Sequence, residues 1–95
     1  MTLSEFKLSL KEQQPPQVAV LLQALWYDAK GDWEKAHNLA QDVHTADGSW
    51  IHAYLHRKEG DTGNAQYWYY RANRKMPKQT LEEEWEFIAG ELLNS

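Results

Sequence analysis

Several residue types and patterns are missing from this sequence, and each absence narrows the classes of protein to consider. The 95 residues include no cysteine, which excludes disulfides, thiol catalysis and thiolate metal sites. No apolar run approaches the roughly 20 residues of a membrane-spanning helix, and we expect no secretory signal. The net charge is −4, which disfavours general binding to nucleic acids or anionic membranes. We expect one domain in the cytoplasm, with no membrane or nucleic-acid partner.

Catalytic motifs are absent as well. The sequence contains no Ser–His–Asp order, nucleophile elbow, phosphate-binding glycine loop or two-histidine–carboxylate motif. The consecutive acids Glu82, Glu83 and Glu84 are explained by the favourable field at a helix N-terminus. We therefore predict no enzyme activity, no cofactor and no metal ion.

The hydrophobic pattern has the period of an α-helix throughout. No segment alternates with the period of a strand, and none is rich in β-branched residues. Two capping boxes, Thr2-x-x-Glu5 and Thr80-x-x-Glu83, predict the start of the first and last helices. The predicted fold is all-α with six helices: an N-terminal helix in residues 1–15, a hairpin in 16–46, a second hairpin in 47–77 and a C-terminal helix in 80–95.

The two predicted hairpins form an internal repeat with an offset of 29 residues between Gly31-Asp32 and Gly60-Asp61. In each pair the glycine ends one helix and the aspartate caps the next. Small residues precede and follow each turn at matching positions, where they let two antiparallel helices approach closely: Ala24 with Ala36, and Ala53 with Ala65.

This pattern resembles the tetratricopeptide repeat, whose units are helix–turn–helix pairs that stack into arrays. The resemblance covers roughly residues 18–77. It departs from the family at Ala40 and Gly48, where the family has an aromatic residue and a proline, and its period is shorter than the usual 34 or so. The positions that match are Ala53, His56, Gly60, Ala65, Tyr69 and Pro77 in the second unit, and Ala24, Tyr27, Gly31 and Ala36 in the first.

Two longer segments, LWYDAKGDWEKAH and SWIHAYLHRKEGD, also resemble those of a small bacterial protein family to which no activity is assigned. The tetratricopeptide likeness implies a protein-interaction module, whereas the bacterial likeness implies no mechanism. Our leading hypothesis is therefore a module that binds a protein, a peptide or a second copy of itself.

The first candidate binding residues are Trp50, Tyr54 and Arg57, which share one face of a helix at spacings of four and three. Tetratricopeptide arrays bind their partners on this face, and these residue types are enriched at binding hot spots. Alternatively, the first or last helix covers this face and makes it part of the core. The spacing of the residues does not decide between the two.

A second group of candidates lies in the aromatic run at 67–70. Successive helical residues point about 100° apart, so the four rings cannot all face the core. We predict that Tyr67 and Tyr70 stay partly exposed beside Arg71 and extend the binding surface.

His52 and His56 form an alternative ligand site. Their spacing of four places both imidazoles on one helical face, which suits a metal ion, and a third ligand would have to be His37 or His44. The repeat alignment instead places both histidines inside the second hairpin, as packed core residues. The alternative function is thus a small-molecule or metal-binding domain that uses His52, His56, Arg57 and nearby tyrosines.

Overall fold

The computed structural model describes all 95 residues and contains six helices and no strand. The all-α prediction and the number of helices are therefore confirmed. A membrane span requires a longer and more apolar helix than any of the six. The helices are α1 (Leu3–Leu8, followed by a 3-10 turn at Ser9–Lys11), α2 (Val20–Ala29), α3 (Trp33–Gln41), α4 (Ala46–Lys58), α5 (Thr62–Arg71) and α6 (Leu81–Leu93).

The ends of the helices follow local capping chemistry, with some shifts from the predicted ranges. Both capping boxes form, at the N-termini of α1 and α6. The first hairpin begins later than residue 16, because the backbone is still extended at Ala19 (φ −58°, ψ 156°). Helix α5 ends well before residue 77, because Asn73 adopts a left-handed conformation with φ 60°. This conformation reverses the chain and closes the helix.

The two Gly-Asp turns have the same geometry. Gly31 and Gly60 have φ values of 90° and 88°, a left-handed conformation that glycine adopts without a steric penalty. In the second turn, the Asp61 amide donates to the His56 carbonyl at 2.9 Å, and the Asp61 carboxylate caps α5. The turn therefore fixes the last turn of α4 against the start of α5.

Helix α4 lies at the centre of the molecule. It packs against four other helices, α2, α3, α5 and α6. As a result, every residue from Gly48 to His56 is buried. Helix α6 is held in place by Trp85, whose ring stacks on Phe6 at 5.7 Å and whose indole N–H donates to the Leu25 carbonyl at 2.9 Å.

The face of α4 that carries Trp50, Tyr54 and Arg57 is covered by α6. Trp50 and Tyr54 are each only 2% exposed, and Arg57 Nη1 donates to Glu84 Oε1 at 2.7 Å. Glu84 is itself 1% exposed and also accepts the Tyr69 hydroxyl. The expectation of an open groove at these residues is therefore wrong, and the alternative, in which a flanking helix covers the face, describes the structure.

We predict that Arg57→Met lowers the free energy of unfolding by about 3 kcal/mol, because it leaves the Glu84 carboxylate buried without its cation. The double variant Arg57→Met/Glu84→Gln should regain at least half of this loss, since a neutral amide still accepts the Tyr69 hydrogen bond. Urea unfolding measures both values. A loss below about 1 kcal/mol for the single variant, typical of a surface ion pair, would contradict the burial of this face.

Candidate metal centre

Three histidines from two helices meet where α3 packs against α4. His37 lies in the middle of α3, and His52 and His56 lie one turn apart on α4. One ring nitrogen from each of the three lies within 4.8 Å of the others, and the Nε2 atoms of His37 and His52 are 2.9 Å apart. Because His37 is only partly buried, the cluster is accessible from solvent on the α3 side. These three residues are called the histidine triad below.

Hydrogen bonds fix the ring of His56. Its Nδ1–H donates to Glu59 Oε1 at 2.6 Å, and its Nε2 accepts a long hydrogen bond of 3.3 Å from the Asn64 side-chain amide. Both contacts require the same tautomer, in which Nε2 carries the lone pair. A carboxylate that accepts the other N–H is the usual way in which proteins orient a metal-binding histidine.

Two indole rings enclose the triad. Trp33 stacks on His37 with 4.8 Å between ring centroids, and Trp68 stacks on His52 with 4.0 Å. The Trp33 ring is held by a hydrogen bond of 2.8 Å from its Nε1–H to the Leu55 carbonyl. These flat apolar walls restrict the rotation of both imidazoles and cover one face of each ring.

The environment of His37 and His52 favours uncharged imidazoles. Burial is the main cause that lowers the pKa of His52 to about 4, and the neighbouring His37 and His56 add to the effect. Burial also lowers the pKa of His37, assisted by His56. Neutral imidazole is the form that binds a metal ion.

The arrangement fits a late transition-metal ion. In tetrahedral coordination at about 2.0–2.1 Å, two nitrogen ligands lie roughly 3.4 Å apart. The triad's nitrogens span separations from 2.9 Å up to 4.8 Å, so movements of an ångström or less would centre them on an ion. Binding would replace the His37–His52 contact and the long contact from Asn64.

The structure separates the other candidate residues from this cluster. His44, the other possible third ligand, lies in the exposed loop before α4 rather than in the triad. Arg57 and Tyr54 face α6 and α2, where Tyr54 donates to Asp28 Oδ2 at 3.1 Å. They therefore take no part in a ligand site at His52 and His56.

The exposed aromatic surface on α5 agrees with the sequence pattern. Tyr70 is 81% exposed and Tyr67 is 51% exposed. Arg71 donates to the Tyr67 hydroxyl at 3.1 Å, so the two side chains form one surface with Tyr70 beside them on the same helix.

Sequence reasoning did not identify Trp33 and Trp68 as walls of the cluster, or Asn64 as a partner of His56. Trp33 and Asn64 each lie just after a Gly-Asp turn, where the chain returns alongside the preceding helix. Their position after the turns is the sequence feature from which contacts with the preceding helices could have been predicted. The stacking of Trp68 on His52 depends on how α5 packs against α4, which periodicity alone does not fix.

We predict that the free energy of unfolding falls by about 2 kcal/mol between pH 7 and pH 5 because of His52. The pKa of His52 is about 4 in the folded protein, against 6.5 for the unperturbed group, so the unfolded chain binds more protons in this range. Urea unfolding of the metal-free protein at several pH values measures the slope.

His52→Leu should flatten this dependence, whereas His44→Gln, a change of an exposed histidine, should leave it unaltered. Most carboxylates remain ionised above pH 5, so they contribute little in this window. An equal slope in the wild type and in His52→Leu would show that His52 is not held neutral by its surroundings.

Comparison of the chain with protein-family models, with curated proteins and with solved structures finds no match in any of the three. No function can therefore be transferred from a relative. The chemistry of the side chains described above is the basis on which a function can be proposed.

Proposed function

We propose that this protein is a metal-binding domain in which His37, His52 and His56 hold one divalent transition-metal ion. The observation that carries the proposal is the convergence of three imidazole nitrogens within 4.8 Å of one another. Two helices contribute these ligands, so an ion held there would tie α3 to α4.

The surroundings of the triad support this proposal. Glu59 orients His56 so that its Nε2 lone pair is engaged only by the long contact from Asn64, and the two stacked indoles hold His37 and His52. In the metal-free triad, Nε2 of His37 and Nε2 of His52 are 2.9 Å apart, and only one of the two can carry the proton of this hydrogen bond. A shared metal ion would satisfy both lone pairs at once.

The ligand set favours particular ions. Three imidazoles without thiolates suit Zn²⁺, Cu²⁺ or Ni²⁺, whereas Mg²⁺ and Ca²⁺ require oxygen ligands. Three histidines also leave a fourth position of a tetrahedral site for water or another ligand. We propose Zn²⁺ as the representative ion, and a cytoplasmic location in keeping with the absence of cysteine.

Zinc should bind to the tag-free protein with one-to-one stoichiometry and raise the free energy of unfolding by about 2.7 kcal/mol at 100 times the dissociation constant. Each of the single substitutions of His37, His52 and His56 with Gln should weaken zinc binding by about 100-fold or more. Glu59→Gln should weaken it by roughly 10- to 100-fold, as expected for a carboxylate that orients a ligand. Titration calorimetry gives the constants.

His44→Gln is the matched control, because it removes the fourth histidine of the chain from outside the triad. It should leave zinc affinity within about twofold of the wild type. The proposal fails if millimolar zinc neither binds nor stabilises the protein. It fails equally if His44→Gln is as damaging as the substitutions in the triad.

A second candidate function is protein binding through the α5 surface of Tyr67, Tyr70 and Arg71. The observation that favours it is the high exposure of Tyr70 and Tyr67, because tyrosine and arginine are the residue types that carry much of the energy of protein interfaces. The occupant we propose is a second copy of this chain, which would place two such surfaces against each other.

Sedimentation velocity over a range of protein concentrations tests this self-association. We expect a concentration-dependent dimer that Tyr70→Ser weakens by about tenfold or more. Leu8→Ser is the control, because Leu8 is another largely exposed hydrophobic residue, but on α1. A monomer at all concentrations, or equal effects of the two substitutions, would exclude this surface as the dimer interface.

A further inference from the structure

A cavity of about 240 Å³ opens beside the histidine triad, at the N-terminus of α4. The chain from Val43 to Thr45 forms one wall, and the rings of His52 and Trp68 form another. Gly48 permits this arrangement, because a Cβ atom there would lie 2.1 Å from the Val43 carbonyl oxygen. The glycine thus lets the loop lie directly against the helix.

Two buried polar side chains line this cavity, and each has one hydrogen-bonding atom without a partner. Ser49 is 9% exposed and its hydroxyl makes no hydrogen bond, while His52, 7% exposed, uses only Nε2 and leaves Nδ1 free. Every polar side-chain atom that is fully sealed from solvent has a hydrogen bond. Because Ser49 Oγ and His52 Nδ1 have none, both atoms must remain accessible through the cavity that the two residues line. The other buried polar side chains of α4 have partners within the chain.

The side chains that line the cavity carry positive and no negative charge. Arg71 lines it, forms no ion pair and lies over the Trp68 ring, and no acidic residue is among the lining side chains. The amide of Ala46 lies in the first turn of α4, where backbone N–H groups lack intrahelical acceptors and the helix dipole favours an anion. Asp47 belongs to the same turn, but it lines a different groove beside Val20 and Leu92.

We propose that this cavity binds a small oxyanion: a phosphate or carboxylate group. Ser49 Oγ would donate one hydrogen bond, the Ala46 amide would donate another, and Arg71 would supply the balancing charge; the Gly48 and Ser49 amides already donate to Thr45. His52 Nδ1–H would donate as well, as His56 Nδ1–H does to Glu59. The cavity is several times larger than the 30 Å³ or so that one water molecule occupies, so it admits a phosphate ion or a small carboxylic acid.

Titration of the metal-free protein with inorganic phosphate tests the proposal, with EDTA present, at constant ionic strength and pH 7. Nitrogen–proton correlation spectra should show saturable shifts at the amides of Ala46, Gly48 and Ser49. Arg71→Gln should weaken binding by about tenfold and Ser49→Ala by about fivefold. A parallel titration with acetate distinguishes a phosphate site from a carboxylate site. The anion that saturates the shifts at the lower concentration indicates the class of ligand.

Lys78→Gln is the matched control, because it removes the same charge at an exposed position outside the cavity. It should change phosphate affinity by less than about twofold. Shifts that do not saturate, or equal losses in Lys78→Gln and Arg71→Gln, would overturn the proposal. Because every arm uses metal-free protein, this outcome is independent of whether the triad binds zinc.

Discussion

The structure depends on the burial of helix α4 on all sides. A surface helix hides one apolar stripe and leaves its other faces to water, but α4 is buried continuously from Gly48 to His56. A polar side-chain atom that is fully sealed from solvent there requires a hydrogen-bonding partner, since an unpaired buried polar group costs on the order of 1–3 kcal/mol. Tyr54 finds Asp28 on α2, and Arg57 finds Glu84 on α6. These pairings link α2 and α6 to the central helix.

The features that sequence could predict are those governed by neighbours in the chain. Helical periodicity, both capping boxes and the two Gly-Asp turns depend on residues within about five positions, and the structure has them. The covering of Trp50 and Tyr54 depends on α6, whose Glu84 follows Arg57 by 27 residues. On the sequence pattern alone, the face of α4 that carries Trp50 and Tyr54 could equally have been open to a partner. Whether the hairpins belong to the tetratricopeptide family stays a prediction.

The candidate site illustrates the same division. The spacing of His52 and His56 indicated a shared face, and His37 was one of two possible third ligands. Only the packing of α3 on α4 selects His37 and leaves His44 in a loop. Burial is the main cause of the lowered pKa values of His37 and His52, and burial is likewise a property of the assembled helices. His52 is also the residue where the triad meets the oxyanion cavity, because its two ring nitrogens face different surroundings.

The stacking of two indoles on two of the triad's imidazoles has an optical consequence. An imidazolium or a bound open-shell ion quenches the emission of an indole in contact with it, whereas a neutral imidazole does so weakly. Trp33 and Trp68 lie against His37 and His52 at centroid distances of 4.8 Å and 4.0 Å. The other three of the five tryptophans lie elsewhere in the core. The natural fluorescence of this protein thus contains a built-in reporter of the state of its histidines, with no need for an added label.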